Sequence, residues 1–402
     1  MVELLEIVEA LFHEIIIGGG KYFITGGGGS GKSFFINMFT CMCNDMGIKV
    51  KVTASTWKAA LLVSGMTIHS FLSLGKEVIY YKNLDELKGL SFLIIDEVSM
   101  LGSKQFGEVY KIIKANNPKL QLIVVGDFCQ LPPVNDKYAF LSTEWQKYNF
   151  TNIELTKNTR QNDDEFIESL NQIRLGKKDG LDFINKHKSK EFFEDGPIIC
   201  SRHTIIDRIN DFYYKQLDGE EKVYSAIVPN PFIEQDKSEK SFEMKLKLKI
   251  GCKVIITANN YWQDYYNGMT GTVVDLNEDE ITVKTEQGKI IRVVRHIFKD
   301  KLKKHEIKQF PILLAYAITI HKAQGQTVDK LNIIYDTLWE PGHLYTALSR
   351  CKDCNNIFVG QLDKETNFKK INEAVKEKRI MPEDLFTDPM VLDFYNKIHN
   401  VQ

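Results

Sequence analysis

The sequence has almost no net charge: 52 lysines and arginines stand against 53 aspartates and glutamates in 402 residues. That balance excludes a global electrostatic pull on nucleic acid, so any polyanion-binding surface has to be a local patch. Long apolar runs are missing too. The longest, FPILLAYAITI at 310–320, falls far short of a bilayer span, and no membrane partner is expected. MVELLEIVEA opens the chain with acidic residues and no basic segment, unlike a secretory signal. Seven cysteines, an odd number without framework spacing, point to free thiols in a reducing compartment. Cys351 and Cys354 have C-x-x-C spacing but no second pair at zinc-site distance. Internal repeats and low-complexity tracts are absent. What remains is a soluble intracellular protein of ordinary globular composition, with room for two or three domains.

Against these absences stands a regular alternation. Leu4, Leu5, Val8, Leu11, Phe12 and Ile15 recur at helical intervals, predicting an amphipathic N-terminal helix. KYFIT reads as a buried strand, SFFINMFTCMCNDMG as a helix, and KVKVTAST as a second strand. LSFLIIDE and LQLIVVGD are continuous apolar runs ending in acids, the pattern of buried parallel strands with polar groups at their carboxyl ends. The alternation predicts a doubly wound α/β unit over residues 1–150, with a small insertion at 65–90. A second α/β region is expected from FTNIELTKNTR onward, including GPIIC, PILLAYAIT and LNIIYD. Residues 246–304 interrupt it with short strands and turns such as NEDE and EQG, predicting a small antiparallel barrel. The basic run KDKLKKHEIK (299–308) reads as a solvated linker.

FITGGGGSGKSFF puts five glycines within six positions between two apolar segments. Gly26, Gly27, Gly28, Gly29, Ser30, Gly31, Lys32 and Ser33 match G-x-x-x-x-G-K-[ST], a phosphate-binding loop between strand and helix. Glycines let backbone N–H groups converge on phosphate oxygens. Lys32 would reach the β- and γ-phosphates, and the Ser33 hydroxyl would ligate Mg²⁺. Such a loop needs a partner carboxylate. Asp96 at the end of LIIDE would hold the Mg²⁺ shell, and Glu97 would orient or deprotonate the attacking water, which favours hydrolysis over transfer. Gln130, past the third buried strand, could sense the γ-phosphate. No guanine-reading N-K-x-D stretch occurs; NKHK at 185–188 lacks the acid.

The ordered set GGGGSGKS, TASTWKAA, TIHSFLSLG, IIDEVSML, GDFCQLPPV, LTKNTRQNDDEF, ITIHKAQGQT and YTALSR, from about 23 to 352, resembles the motifs of Pif1-like superfamily 1 helicases, the branch that includes RecD-like enzymes. This resemblance implies an α/β fold of two RecA-like P-loop domains in tandem, with a pin insertion in the first and an SH3-like β-barrel insertion in the second. The expected boundaries are 1–150 for the first domain (pin at 65–90), 151–245 plus 305–402 for the second, and 246–304 for the barrel. The implied activity is ATP- and Mg²⁺-dependent translocation 5′ to 3′ on single-stranded DNA, with unwinding at single-strand/duplex junctions, in DNA replication, repair or recombination. Arg160 and Arg350 match the family's arginine positions, and Gln324 a position near the γ-phosphate. Ser55, Thr56 and Lys58 match a first-domain grip on the DNA backbone. Thr319, His321 and Lys322 match one in the second domain. His69, with Phe71 nearby, would offer a ring for base stacking. One chain would supply both halves of the ATP site, so a monomer suffices.

Departures from the pattern are equally visible. Relatives open with a glutamine-containing adenine motif, yet no glutamine precedes Gln105, leaving several nucleotides open as substrates. Gly28 and Ser30 replace a common Ala and Thr, and bulky Trp57 stands where a small residue is usual. Two further readings share the motifs. One is a P-loop switch that binds nucleotide without moving; loss of Glu97, Arg160 or Arg350 would mark it, and all three are present. The other is an RNA-directed motor, since a stacking-plus-phosphate grip does not read the sugar.

Overall fold

The computed structural model describes residues 2–74, 81–228, 241–260, 262–299, 306–363 and 370–399. They fall into two compact units, one of Met1–Gly196, Ala323–Gln361 and Lys376–Gln402, the other of Pro197–Lys322 and Leu362–Val375.

The first unit is built on a parallel sheet of six strands: β1 (Lys21–Thr25), β2 (Val50–Ala54), β3 (Met66–Thr67), β4 (Phe92–Asp96), β5 (Gln121–Val125) and β6 (Thr151–Glu154). Their order is β3-β2-β4-β5-β1-β6. Strand alternation sends Tyr22 and Ile24 to one face and Phe23 to the other. The first face packs with Val52, Ile94, Ile123 and Val125 under Val8, Phe12 and Ile15 of the N-terminal helix (Val2–Gly18) and Phe35, Ile36 and Phe39 of the helix Lys32–Asp45. On the second face, Phe23 meets Phe128, Trp145 and Phe394 at centroid distances of 5.4, 5.4 and 5.9 Å. Phe394 belongs to the C-terminal helix Pro389–His399, so the end of the chain helps close the first sheet.

Two expectations change here. FTNIE does not open a new region: Thr151–Glu154 pairs in parallel with β1, because Ile153 completes the apolar layer beneath the N-terminal helix. Nor is 65–90 wholly an insertion. Met66–Thr67 extends the sheet beside β2, and the helices Ile68–Leu72 and Tyr81–Gly89 follow, while 75–80 lie outside the described residues.

The second unit has an antiparallel sheet in the order Ile290–Val294, Glu280–Thr285, Thr270–Leu276, Lys253–Ile256, Ile312–Leu314. Its interior holds Val254, Ile256, Val273, Ile281, Val283, Ile291 and Val293, joined by Leu246 and Leu248 from the neighbouring strand pair. The sheet falls where short strands were expected but reaches beyond 304. Part of the basic run is strand rather than linker: Glu306–Gln309 pairs with His296–Lys299, burying Ile307, and 300–305 lie outside the described residues. Ile198–Cys200 and Ala317–Thr319 form a parallel pair flanked by the helix His203–Gln216.

Candidate active site and nucleic-acid interface

Strand β1 ends at Thr25 and the glycine loop begins. Gly26, Gly29 and Gly31 have φ of 147°, 88° and 84°, the left-handed region that side chains disfavour. Gly31 starts the helix Lys32–Asp45, whose first-turn N–H groups have no intrahelical acceptor and face the loop's cradle. Lys32 Nζ donates to the Gly26 and Gly27 carbonyls at 2.7 and 2.8 Å. Burial lowers the affinity of this ammonium for its proton, and Asp127, Glu97 and Asp96 partly restore it. Ser33 lies exposed at the same helix start.

Strand β4 presents the acids at its carboxyl end. Asp96 is buried and accepts the Glu97 N–H at 2.8 Å. Burial, then the neighbouring Glu97, pushes its carboxyl up to about 7. Glu97 sits at φ 52°, ψ 44°, a conformation that costs a non-glycine residue roughly 1–3 kcal/mol and is held only where its surroundings enforce it. Gln324 Nε2 donates to Glu97 Oε2 and to Gln130 Oε1, each at 3.3 Å. One amide thus joins the acid beyond β4 to the glutamine beyond β5.

Two arginines complete the group. Arg160 donates to the Ser349 carbonyl at 2.7 Å. Arg350, 2% exposed, donates to Thr346 O and Ser349 Oγ, both at 2.8 Å. Burial and then the charge of Arg350 push the Arg160 guanidinium down to about 9. Burial lowers Arg350 as well, with Glu97 acting against it. The two guanidiniums share Glu97, with Asp127 also acting on Arg350, and lie close enough for the charge of Arg350 to lower Arg160.

Several contributors were not singled out from the sequence. Asn158 Nδ2 donates to Gly28 O at 3.3 Å, and its Oδ1 accepts Arg160 N and Gln161 N at 2.8 and 3.1 Å. Thr159 donates its N–H and its hydroxyl to Gly29 O at 2.7 and 2.9 Å. The segment that carries Arg160 is therefore fastened to the loop's carbonyls. Gly28 N–H donates to Tyr345 Oη at 2.6 Å. Asp127, fully buried, accepts from Arg174 Nε, Tyr345 and Tyr395 at 3.1–3.2 Å. Asp127 and Tyr345 lay inside quoted motifs. Arg174 and Tyr395 carry no sequence signal, because only tertiary packing brings them to the loop.

The residues expected to grip DNA are distributed differently. In the first unit Ser55 donates its N–H to Asp96 O at 3.0 Å. Thr56 caps the helix Trp57–Leu62 by accepting from Ala59 N. The Lys58 side chain lies outside the described residues. His69 Nε2 meets Gln105 Nε2 at 2.9 Å; since Gln105 Oε1 accepts from Gly102 N, the histidine is the acceptor, and burial lowers its pKa. Phe71 requires a correction. It is 0% exposed, packed in the core where no base can stack. In the second unit, Thr319 and Lys322 line a cavity of about 540 Å³ with His203, Lys245, Lys247 and Asp207. Thr319 Oγ1 accepts Lys322 N at 3.1 Å, and burial lowers the Lys322 ammonium. His321 is not among that cavity's lining residues.

A parallel sheet whose strand β5 separates the loop strand from the acid strand, with an acid, two glutamines and two arginines gathered at the loop, defines a RecA-like P-loop nucleoside triphosphatase. Residues 10–195 match the family model described as an AAA domain. The chain is 31% identical to the ATP-dependent DNA helicase Pif1 of Bdellovibrio bacteriovorus, over 98% of this chain and 92% of that one. It also resembles Pif1 from Bacteroides in complex with ADP-AlF3 and single-stranded DNA, with TM-score 0.81, 26% identity and coverage of 98% and 97%. A structure of two coordinating Pif1 helicases unwinding forked double-stranded DNA matches with TM-score 0.83, 27% identity and coverage of 98% and 97%. The chain belongs to the Pif1 helicase family.

Proposed function

We propose that this protein is an ATP-dependent DNA helicase that moves 5′ to 3′ on single-stranded DNA and separates duplex at single-strand/duplex junctions. The observation that carries the reading is the bridge Glu97–Gln324–Gln130 beside the guanidiniums of Arg160 and Arg350. A bound triphosphate would supply negative charge, and its γ-phosphate would lie among these groups. Glu97 would orient the attacking water, and the arginines would stabilise charge developing on the transferred group. The exposed Ser33 hydroxyl and the Asp96 carboxylate are hard oxygen donors suited to Mg²⁺. That ion, when bound, neutralises phosphate charge, while Lys32 leaves the loop carbonyls for the phosphates.

The domain assignment follows the family. A first RecA-like domain would carry the loop and acids, and the antiparallel sheet around 253–294 would be the SH3-like insertion of a second; Arg160, Gln324 and Arg350, expected on that second domain, fall in the same compact unit as the loop. DNA would meet Ser55 and Thr56 on one domain and Thr319 and Lys322 on the other. Every nucleotide-site residue comes from one chain, which supports a monomer as the hydrolysing unit.

Strand separation on matched duplexes with a 5′ or a 3′ single-stranded tail tests the proposal, with Lys32→Ala as control. Unwinding only from the 5′ tail, lost in the variant, is expected. Unwinding only from the 3′ tail would overturn the polarity, and failure on both, without DNA-stimulated hydrolysis, would overturn the motor.

A further inference from the structure

The C-terminal helix Pro389–His399 reaches the nucleotide loop through one hydroxyl. Tyr395 Oη lies 2.7 Å from Thr25 Oγ1, accepts Phe128 N–H at 3.1 Å and donates to Asp127 Oδ1 at 3.2 Å. A phenol has one proton to give, so with that proton on Asp127 the Thr25 hydroxyl donates to Tyr395. The other carboxylate oxygen, Asp127 Oδ2, accepts from Tyr345, which in turn accepts the Gly28 N–H. A single buried carboxylate therefore holds two phenols, one resting on Thr25 just before the loop and the other on Gly28 within it. Between those anchors lie the Gly26 and Gly27 carbonyls that receive Lys32. Arg174 fixes the hub: Nε donates to both Asp127 oxygens at 3.1 Å, and Nη1 donates to Glu154 at 2.9 Å. Its guanidinium lies 4.8 Å from the Tyr395 ring centroid.

We infer that Tyr395 is a positioning residue for nucleotide binding, acting through Asp127 and Tyr345 on the first half of the phosphate loop. Residues 25–28 have no regular secondary structure beyond the end of β1 and include glycines free to turn. Their geometry is therefore set by the groups that hold them. Removing the Tyr395 hydroxyl frees the Thr25 anchor and strips Asp127 of a donor in a dry site, where such bonds are strong. The loop then samples conformations that do not converge on phosphate, and binding loses the advantage of a preformed cradle.

The inference rests on the loop being the ATP site, and the experiment separates the two. Titration of the 402-residue chain with a fluorescent ADP analogue compares wild type, Tyr395→Phe, Thr25→Val and Lys32→Ala. Lys32→Ala tests the site itself; unchanged affinity there would overturn the reading of the loop. With that control lost as expected, Tyr395→Phe keeps the ring packed against Arg174 and is expected to weaken binding roughly tenfold. In steady-state hydrolysis KM for ATP rises by a similar factor with kcat nearly unchanged, and single-stranded DNA affinity measured without nucleotide stays at the wild-type value. Thr25→Val, which touches the same anchor from the other end, is expected to add little when combined with Tyr395→Phe. Wild-type affinity for the nucleotide in both single variants would overturn the inference, even if their melting temperatures fall, because that pattern marks packing alone.

Discussion

Glu97 gathers the site's demands in one residue: a left-handed backbone, a half-buried carboxylate and a hydrogen bond from Gln324. Replacing only its charge is the sharpest cut. Glu97→Gln is expected to bind nucleotide as before but to lose hydrolysis by about 10²–10⁴-fold, the usual share of a positioned base, read as phosphate release against nucleotide affinity. His69 gives a residue-scale prediction about pH. Its folded pKa lies below the ordinary 6.5, so in the window below that value the unfolded chain binds more protons than the folded one. Stability contributed by neutral His69 is therefore full above 6.5 and declines as pH falls. Urea midpoints should drop between pH 7 and 5 in the wild type and drop less in His69→Gln.

At the scale of elements, the loop and the segment packed on it set the tolerances. A methyl group at Gly28 meets Ser349 Cβ at 3.0 Å and Arg160 Nη1 at 3.4 Å, without a positive φ to oppose it. At Gly29 the same methyl meets Arg160 Cβ at 2.6 Å, with φ at +88°. Gly28→Ala is thus expected to retain most ATPase activity, while Gly29→Ala raises KM for ATP and lowers kcat by pushing Arg160 away. Steady-state kinetics of the two variants check this contrast. In the second unit, Lys322, proposed above as a DNA contact, lines its cavity with Lys245 and Lys247. Lys322→Ala should weaken single-stranded DNA binding uniformly over sequence and reduce the slope of log K against log salt by about 0.7. Most elements were legible in the sequence because buried parallel strands announce themselves as apolar runs ending in acids. The sixth strand was not, since TNIE is short and half exposed at a sheet edge. Phe71 was misread because a ring beside a histidine looks alike whether it faces solvent or core. Tyr395 was invisible because a tyrosine on an amphipathic helix carries no motif; only the fold brings it to a carboxylate 268 positions away.

Over the whole molecule, the order β3-β2-β4-β5-β1-β6 places the loop strand between partners that come late in the chain: β1 pairs with Gln121–Val125 and Thr151–Glu154. The remaining parts are more distant still, at Arg174, Gln324, Arg350 and Tyr395. Contacts of such sequence separation form slowly, after helices and local turns. In refolding from denaturant, recovery of nucleotide binding is expected to lag the far-ultraviolet helix signal, and simultaneous recovery would count against this picture. During synthesis the same arrangement acts as a safeguard. A ribosome that has released only the first sheet has made Lys32, Asp96 and Glu97 but neither Gln324 nor Arg350. On the roles proposed for Gln324 and Arg350, a nascent chain that lacks them would hold nucleotide without turning it over, so hydrolysis would report that the segments up to Arg350 have reached the loop.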